Sequence, residues 1–341
     1  MARSVVAVSR SPRLSWLALL LAAVGAAYAA PPEAPPSIAA LTVCQPVTAD
    51  LLTKAFTAHD TIIYYAQGEI RDSANGGGPT TVRIYRNGRQ DLTRREYYAP
   101  GQPDVVIIER GRERWQKQPD GSWLHENLLP QMLIGFAQRL DLLTANYAIE
   151  PAGERTIAGR QCWGYNILPK ASGNPSRLMF IDAETHLPLR TENVNGLGDL
   201  VSVTNYSEVR YVDSLDADLF RAPSGNVEDD GIEREGPMSK VDAEAQTGFA
   251  VREPDYVPDG YRFAGALTLR QGRSVAVHMQ WFDGLSIISL FKQRSGGTLP
   301  SGSGWTRHHA NSVSWTSDGF SYQLMGDIIP AELSRMRDSV R

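Results

Sequence analysis

The sequence predicts an α+β chain in which a large curved antiparallel sheet carries a helix across its concave face and is followed by a smaller α+β domain. Three observations predict it. Short segments rich in β-branched and aromatic residues alternate with hairpin-type turns, one amphipathic helical pattern interrupts them, and a strongly acidic stretch separates two such regions. With 341 residues, 42% hydrophobic and 21% charged, and a mean hydropathy of -0.29, the chain has enough apolar material for two ordinary cores.

The N-terminus reads as a leader. Arg3, Arg10 and Arg13 precede the apolar run Leu14 to Gly25, and Ala27-Tyr28-Ala29 supplies a small-residue cleavage signal, so residues 1–29 are expected to be a signal peptide. The run is shorter than the roughly 20 residues that a spanning helix needs. The net charge of -4 becomes -7 without the leader, with 31 basic against 38 acidic residues. Such a chain lacks the clustered Lys and Arg that phosphate backbones demand, so nucleic acid is excluded as a partner. Export also bears on Cys44 and Cys162, the only cysteines: one disulfide is expected, closing a loop worth about 5 kcal/mol in the chain-entropy account, with two buried free thiols as the alternative.

A Pro-rich stretch (Pro31, Pro32, Pro35, Pro36) leads into Ala49 to His59, where Leu51, Leu52, Ala55 and Phe56 share a helical face. Strands are then expected at Thr61–Ile70, Thr81–Tyr85, Arg94–Tyr98, Val105–Glu109 and Arg112–Gln116, separated by turns such as Asn87-Gly88 and Pro119-Asp120-Gly121. Leu129, Met132, Leu133, Phe136, Leu140 and Leu143 recur at spacings of three and four, and Pro130 suits a first helical turn. Further strands follow at Tyr147–Glu150, Gln161–Leu168, Arg177–Asp182, Leu187–Asn193 and Leu200–Val209. Between residues 224 and 248, seven acids stand against Arg234 and Lys240, which reads as a solvated linker. Beyond it come strands at Tyr261–Arg270, Ser274–Phe282, Ser286–Lys292, Ser312–Thr316 and Phe320–Gly326, then a helix from Pro330 to Val340. The expected division is a large domain 30–222, a linker 223–249 and a second domain 250–341.

Catalytic chemistry leaves little trace. There is no G-x-S-x-G, H-E-x-x-H, P-loop or G-x-G-x-x-G, so no enzyme class and no cofactor or metal is indicated. Gly196-Leu197-Gly198 reads as a hairpin turn, and Gly76-Gly77-Gly78 as a loop. His308-His309 would point to opposite faces of an extended chain, and Asp182 and Glu184 sit where a hairpin should turn. The amphipathic helix has two readings: it completes a core, or it covers an apolar cavity for acyl chains. On the second reading Leu129, Met132, Leu133, Phe136 and Leu140 contact lipid, with Tyr64, Ile84, Tyr97 and Val106 contributing from the sheet. Trp115 and Trp123 fit a core equally well.

Several motifs carry a family resemblance. Ile157-Ala158-Gly159-Arg160-Gln161-Cys162, Leu168-Pro169, the run Arg177 to Glu192 and Asp218-Leu219-Phe220 resemble the large domain of the MucB/RseB family. Val257-Pro258-Asp259-Gly260-Tyr261, Gln280 to Phe291 and Tyr322 to Leu333 resemble its C-terminal domain. The hairpin D-x-x-T-x-L-P-L at Asp182 to Leu189 also occurs in LolA-like lipoprotein carriers. The resemblance implies a LolA-like half-open β-barrel and a non-enzymatic periplasmic protein acting in sigma-factor regulation and envelope stress. It also implies binding to the periplasmic part of a membrane anti-sigma factor, with acyl lipid or lipopolysaccharide as the signal. A LolA-like lipid or lipoprotein carrier is the alternative, and the second domain argues against it.

Overall fold

The computed structural model describes residues 47–73, 78–102, 104–129, 134–296 and 311–340. The leader, Cys44, Met132, Leu133, Gly76-Gly77 and His308-His309 lie outside them.

Helix α1 (Ala49–Thr61) opens where the Thr48 hydroxyl accepts from the Leu51 amide, satisfying one of the four free N–H groups of a helix start. Its buried face is Leu51, Leu52, Ala55 and Ala58. Two meanders follow. The first is β1 (Ile63–Asp72), β2 (Pro79–Asn87), β3 (Leu92–Tyr98), β4 (Val105–Arg110), β5 (Glu113–Lys117) and β6 (Trp123–Asn127). Helix α2 (Phe136–Asn146) leads into the second: β7 (Tyr147–Ile157), β8 (Arg160–Pro169), β9 (Ser176–Asp182), β10 (Pro188–Val194) and β11 (Leu200–Tyr211). Strand β11 pairs antiparallel with β1, so the two meanders join into one 12-stranded open sheet, with β7 at one edge and the short parallel strand β12 (Val227–Asp229) at the other.

The β9–β10 hairpin shows why Asp182 belongs to a turn. Its Oδ1 accepts from the amides of Glu184 (2.9 Å) and Thr185 (3.2 Å), its Oδ2 accepts from the Tyr211 hydroxyl (2.9 Å), and Arg160 pairs with the same carboxylate. Burial pushes the carboxyl up, but Arg160 and these donors outweigh it and hold Asp182 below its ordinary range. Gly196-Leu197-Gly198 likewise forms the β10–β11 turn.

The second sheet orders β13 (Glu233–Met238), β14 (Arg262–Gln271), β15 (Ser274–Phe282), β16 (Ile287–Arg294), β18 (Phe320–Gly326) and β17 (Asn311–Ser317). Helices α3 (Lys240–Thr247) and α4 (Pro330–Asp338) contribute Ala243, Leu333 and Met336 to its main cluster, around Trp281, Ile288, Leu290 and Leu324. Ile232, Leu269, Phe291 and Met325 form another cluster. The acidic stretch is therefore not a solvated linker. Its β12 pairs with β6, its β13 with β14, and its α3 packs on the second sheet. The charge count missed this because β12 needs only backbone hydrogen bonds, while Ile232 and Ala243 suffice as anchors.

The two sheets also touch directly. Asn146 at the end of α2 donates to the carbonyls of Gly260 (2.9 Å) and Asp283 (2.8 Å), and the Tyr147 hydroxyl donates to Asp283 Oδ2 at 2.5 Å. Asp283 is fully buried and accepts from the amides of Leu285 and Ser286. Gly284 has φ +109°, and a Cβ there would lie 2.2 Å from the Leu143 amide nitrogen, so only glycine permits the approach.

Candidate functional site: the concave face under α2

Alternation along the strands assigns the two faces of the large sheet. Tyr64 and Ala66 on β1, Val82 and Ile84 on β2 and Tyr206 on β11 share a buried cluster, with Tyr97 of β3 packed against it. A second cluster joins Leu51, Leu52 and Ala55 of α1 to Leu143, Tyr147, Tyr165, Ile167, Met179 and Ile181, with Leu140 packed at its margin. Both helices thus cover the concave face. Val106, expected there with Tyr64, Ile84 and Tyr97, pairs with Glu96 and points to the outer face. A one-residue step along β4 decides this, and Val105 opposite Tyr97 is the inward residue.

Along α2 burial is graded. Leu143 is 1% exposed and Leu140 and Phe136 are half-buried, while Leu129 before the helix is 5% exposed. Arg139 lies one turn from Phe136, its guanidinium 5.5 Å above the Phe136 ring. Its Nε is buried with no hydrogen-bond partner among the described residues, and burial lowers its pKa against the pull of Asp60. His59 at the end of α1 is lowered too, by burial first, with Asp60 opposing and Arg86, Arg95 and Arg139 adding to the fall. Arg86 donates to the His59 carbonyl (3.0 Å) and lies 3.6 Å from Asp60, which puts a second guanidinium at the end of α1. Sequence reading found the apolar residues and missed Arg139 and Arg95, although Arg139 at i+3 from Phe136 was the available signal.

The other half of the concave face is polar. Arg95 pairs with Glu109 (2.7 Å), Arg114 lies 4.0 Å from Glu109 and 3.6 Å from Glu126, and Arg234 of β13 lies 3.9 Å from Glu126 and pairs with Asp230. Arg234 and Glu126 are almost fully buried. This ladder crosses β3, β4, β5 and β6 and ends on the second sheet. A buried charge network of this kind fixes a geometry more than it adds stability.

Cys162 is buried and has no disulfide partner among the described residues; its Sγ lies 3.5 Å from the Arg160 carbonyl, and burial pushes the thiol up to about 11. With Cys44 outside the described residues, a bridge between them remains an expectation. Trp115 is buried and stacks on His125. Among the described residues no group of His, Cys, Asp and Glu is arranged to hold a metal, and no helix is long and apolar enough to cross a membrane.

An open, largely antiparallel sheet with helices on its concave face, joined to a second sheet with its own core, defines a two-sheet α+β fold. Residues 108–223 match the model of the MucB/RseB N-terminal domain, so the resemblance read from the motifs holds over that stretch. Among solved structures, MucB in complex with MucA(peri) is similar at TM-score 0.58 and 15% identity, covering 86% of this chain and 98% of that one. The MucA/MucB complex of Pseudomonas aeruginosa gives the same values, and MucB alone gives TM-score 0.52 at 14% identity, covering 85% and 96%. At this identity the likeness establishes the fold. No curated protein matches the chain by sequence.

Proposed function

We propose that this chain is a periplasmic, non-enzymatic regulator that binds the periplasmic part of a membrane anti-sigma factor and changes its affinity when an acyl lipid or lipopolysaccharide occupies the concave face. The observation that carries this reading is the combination of a MucB/RseB family match with a fold shared over both sheets by proteins solved with MucA. The site's chemistry supports the lipid half. Half-buried Phe136 and Leu140 border an apolar face, and the Arg139 guanidinium stands over Phe136, where an anionic headgroup would meet it. On this reading Leu129, Met132, Leu133, Phe136 and Leu140 contact the acyl chain. The second sheet with its own core, which β13 and α3 of the acidic stretch join, favours a regulator over a plain carrier.

Calorimetry of the purified chain against the periplasmic domain of MucA, the partner in the similar solved complexes, tests the reading. Binding of one partner per chain, weakened by added lipopolysaccharide, is the expected result. A chain that ignores the domain but yields extractable acyl lipid would be a carrier instead.

A further inference from the structure

We propose that the outer face of the large sheet holds a second binding site, a basic groove that takes an acidic peptide. Tyr65, Arg83 and Tyr85 alternate with the inward residues of β1 and β2, so they face away from α1 and α2. With Arg210, Val212 and Leu215 they line a cavity of about 310 Å³. A neighbouring cavity of about 320 Å³ shares Leu215 and is lined by Asn87, Gln90, Leu92, Arg110, Ala217, Asp218, Phe220 and Arg221. The strip from Val212 to Arg221 borders both, and its Asp218-Leu219-Phe220 forms a 3-10 turn whose Phe220 is buried.

Charge selects the ligand. The two cavities are lined by four arginines and one carboxylate, Asp218, on a chain whose net charge is negative. Asp218 pairs with Arg221, Glu208 with Arg210, and Glu96 with Arg94 and the Tyr98 hydroxyl. Arg83 and Arg110 have no carboxylate in an ion pair among the described residues. The Arg83 Nε donates to Gln67 (3.0 Å), and its guanidinium lies 5.0 Å over the Tyr98 ring, as Arg210 lies 4.6 Å over Tyr65. Such stacking fixes the guanidinium plane while leaving N–H edges free for an oxyanion.

Shape separates a peptide from a lipid. An acyl chain needs one continuous apolar channel, whereas here Leu215 divides the groove into two small compartments with guanidiniums at their walls. Two compartments side by side suit successive side chains of an extended peptide, carboxylates on Arg83 and Arg110 and apolar groups against Val212 and Leu215.

Fluorescence anisotropy tests this with a short labelled peptide alternating glutamate and leucine, the same peptide with lysine for glutamate, and phosphatidylglycerol vesicles. The glutamate peptide should bind, more weakly as salt rises. Its affinity should fall about tenfold in Arg83→Gln and in the solvent-exposed Arg210→Gln, and stay unchanged in Arg337→Gln at the far end of α4. Equal binding by the lysine peptide, undiminished binding by a folded Arg210→Gln, or capture of vesicles without the peptide would overturn the assignment. The site does not depend on the regulatory reading above: Phe136→Ala should leave peptide binding intact, so failure of one leaves the other standing.

Discussion

The two sheets bury their strands differently. In the second sheet, β15 and β16 are buried at nearly every position, because helices and side chains cover both faces. In the large sheet, β1 buries alternate residues and β11 is mostly half-exposed. The central strands of the second sheet are covered on both faces, whereas the large sheet leaves much of β1 and β11 half-exposed. The difference separates residues that hold the molecule together from residues left partly open to solvent.

Substitution at the centre of the second sheet should cost most. Leu290→Ala leaves a cavity in the cluster around Trp281 and is expected to cost about 2–5 kcal/mol in denaturant unfolding. Asp182→Asn in the large sheet comes next, at about 2 kcal/mol, the partial exposure of Arg160 reducing the figure for a fully buried pair. Because the folded Asp182 carboxyl lies below its ordinary range, its contribution is present above the unfolded pKa and is lost as pH falls through the folded one. The wild type should therefore lose more stability on acidification than Asp182→Asn, which a pH series of thermal melts reads directly.

At the joint between the sheets the sign reverses. Burial raises the Asp283 carboxyl, against hydrogen bonds from the Ser286 amide, the Tyr147 hydroxyl and the Leu285 amide. Its contribution is present at low pH and lost as pH rises through the raised value. Asp283→Asn keeps an acceptor for the two amides, so at neutral pH it should change stability by less than about 1 kcal/mol. Protection factors at residues 283–286, taken against the intrinsic exchange rates, should then no longer fall as pH rises. The smallest expected effect on stability is Phe136→Ala, below about 1 kcal/mol, since a half-buried ring at the margin of the open face leaves no closed cavity.

Most strands were legible because alternation and turn chemistry are local. Asn87-Gly88 and the Asp182 hairpin announce themselves, and most expected strands overlap the observed ones, except that β6, β12 and β13 are not expected and β7 runs on to Ile157, past the expected end at Glu150. What stayed hidden depends on pairing across the chain. The inward direction of Val105 rather than Val106 is set by register with β3, and the fold of residues 223–249 is set by β6 and β14. The charged ladder was equally invisible, because Arg95, Glu109, Arg114, Glu126 and Arg234 come from five strands and each alone looks like a solvated charge.

On the proposed function, the open face under α2 takes an acyl chain and the helix there is more than core. Titration of a fluorescent fatty acid into the wild type and Phe136→Ala, with melting curves for both, tests it most directly. The wild type should bind, and the variant should melt nearly alike but no longer bind. A wild type that takes up neither fatty acid nor lipopolysaccharide, beside a variant destabilised by the roughly 3–5 kcal/mol of an interior truncation, would contradict it and make α2 part of the core.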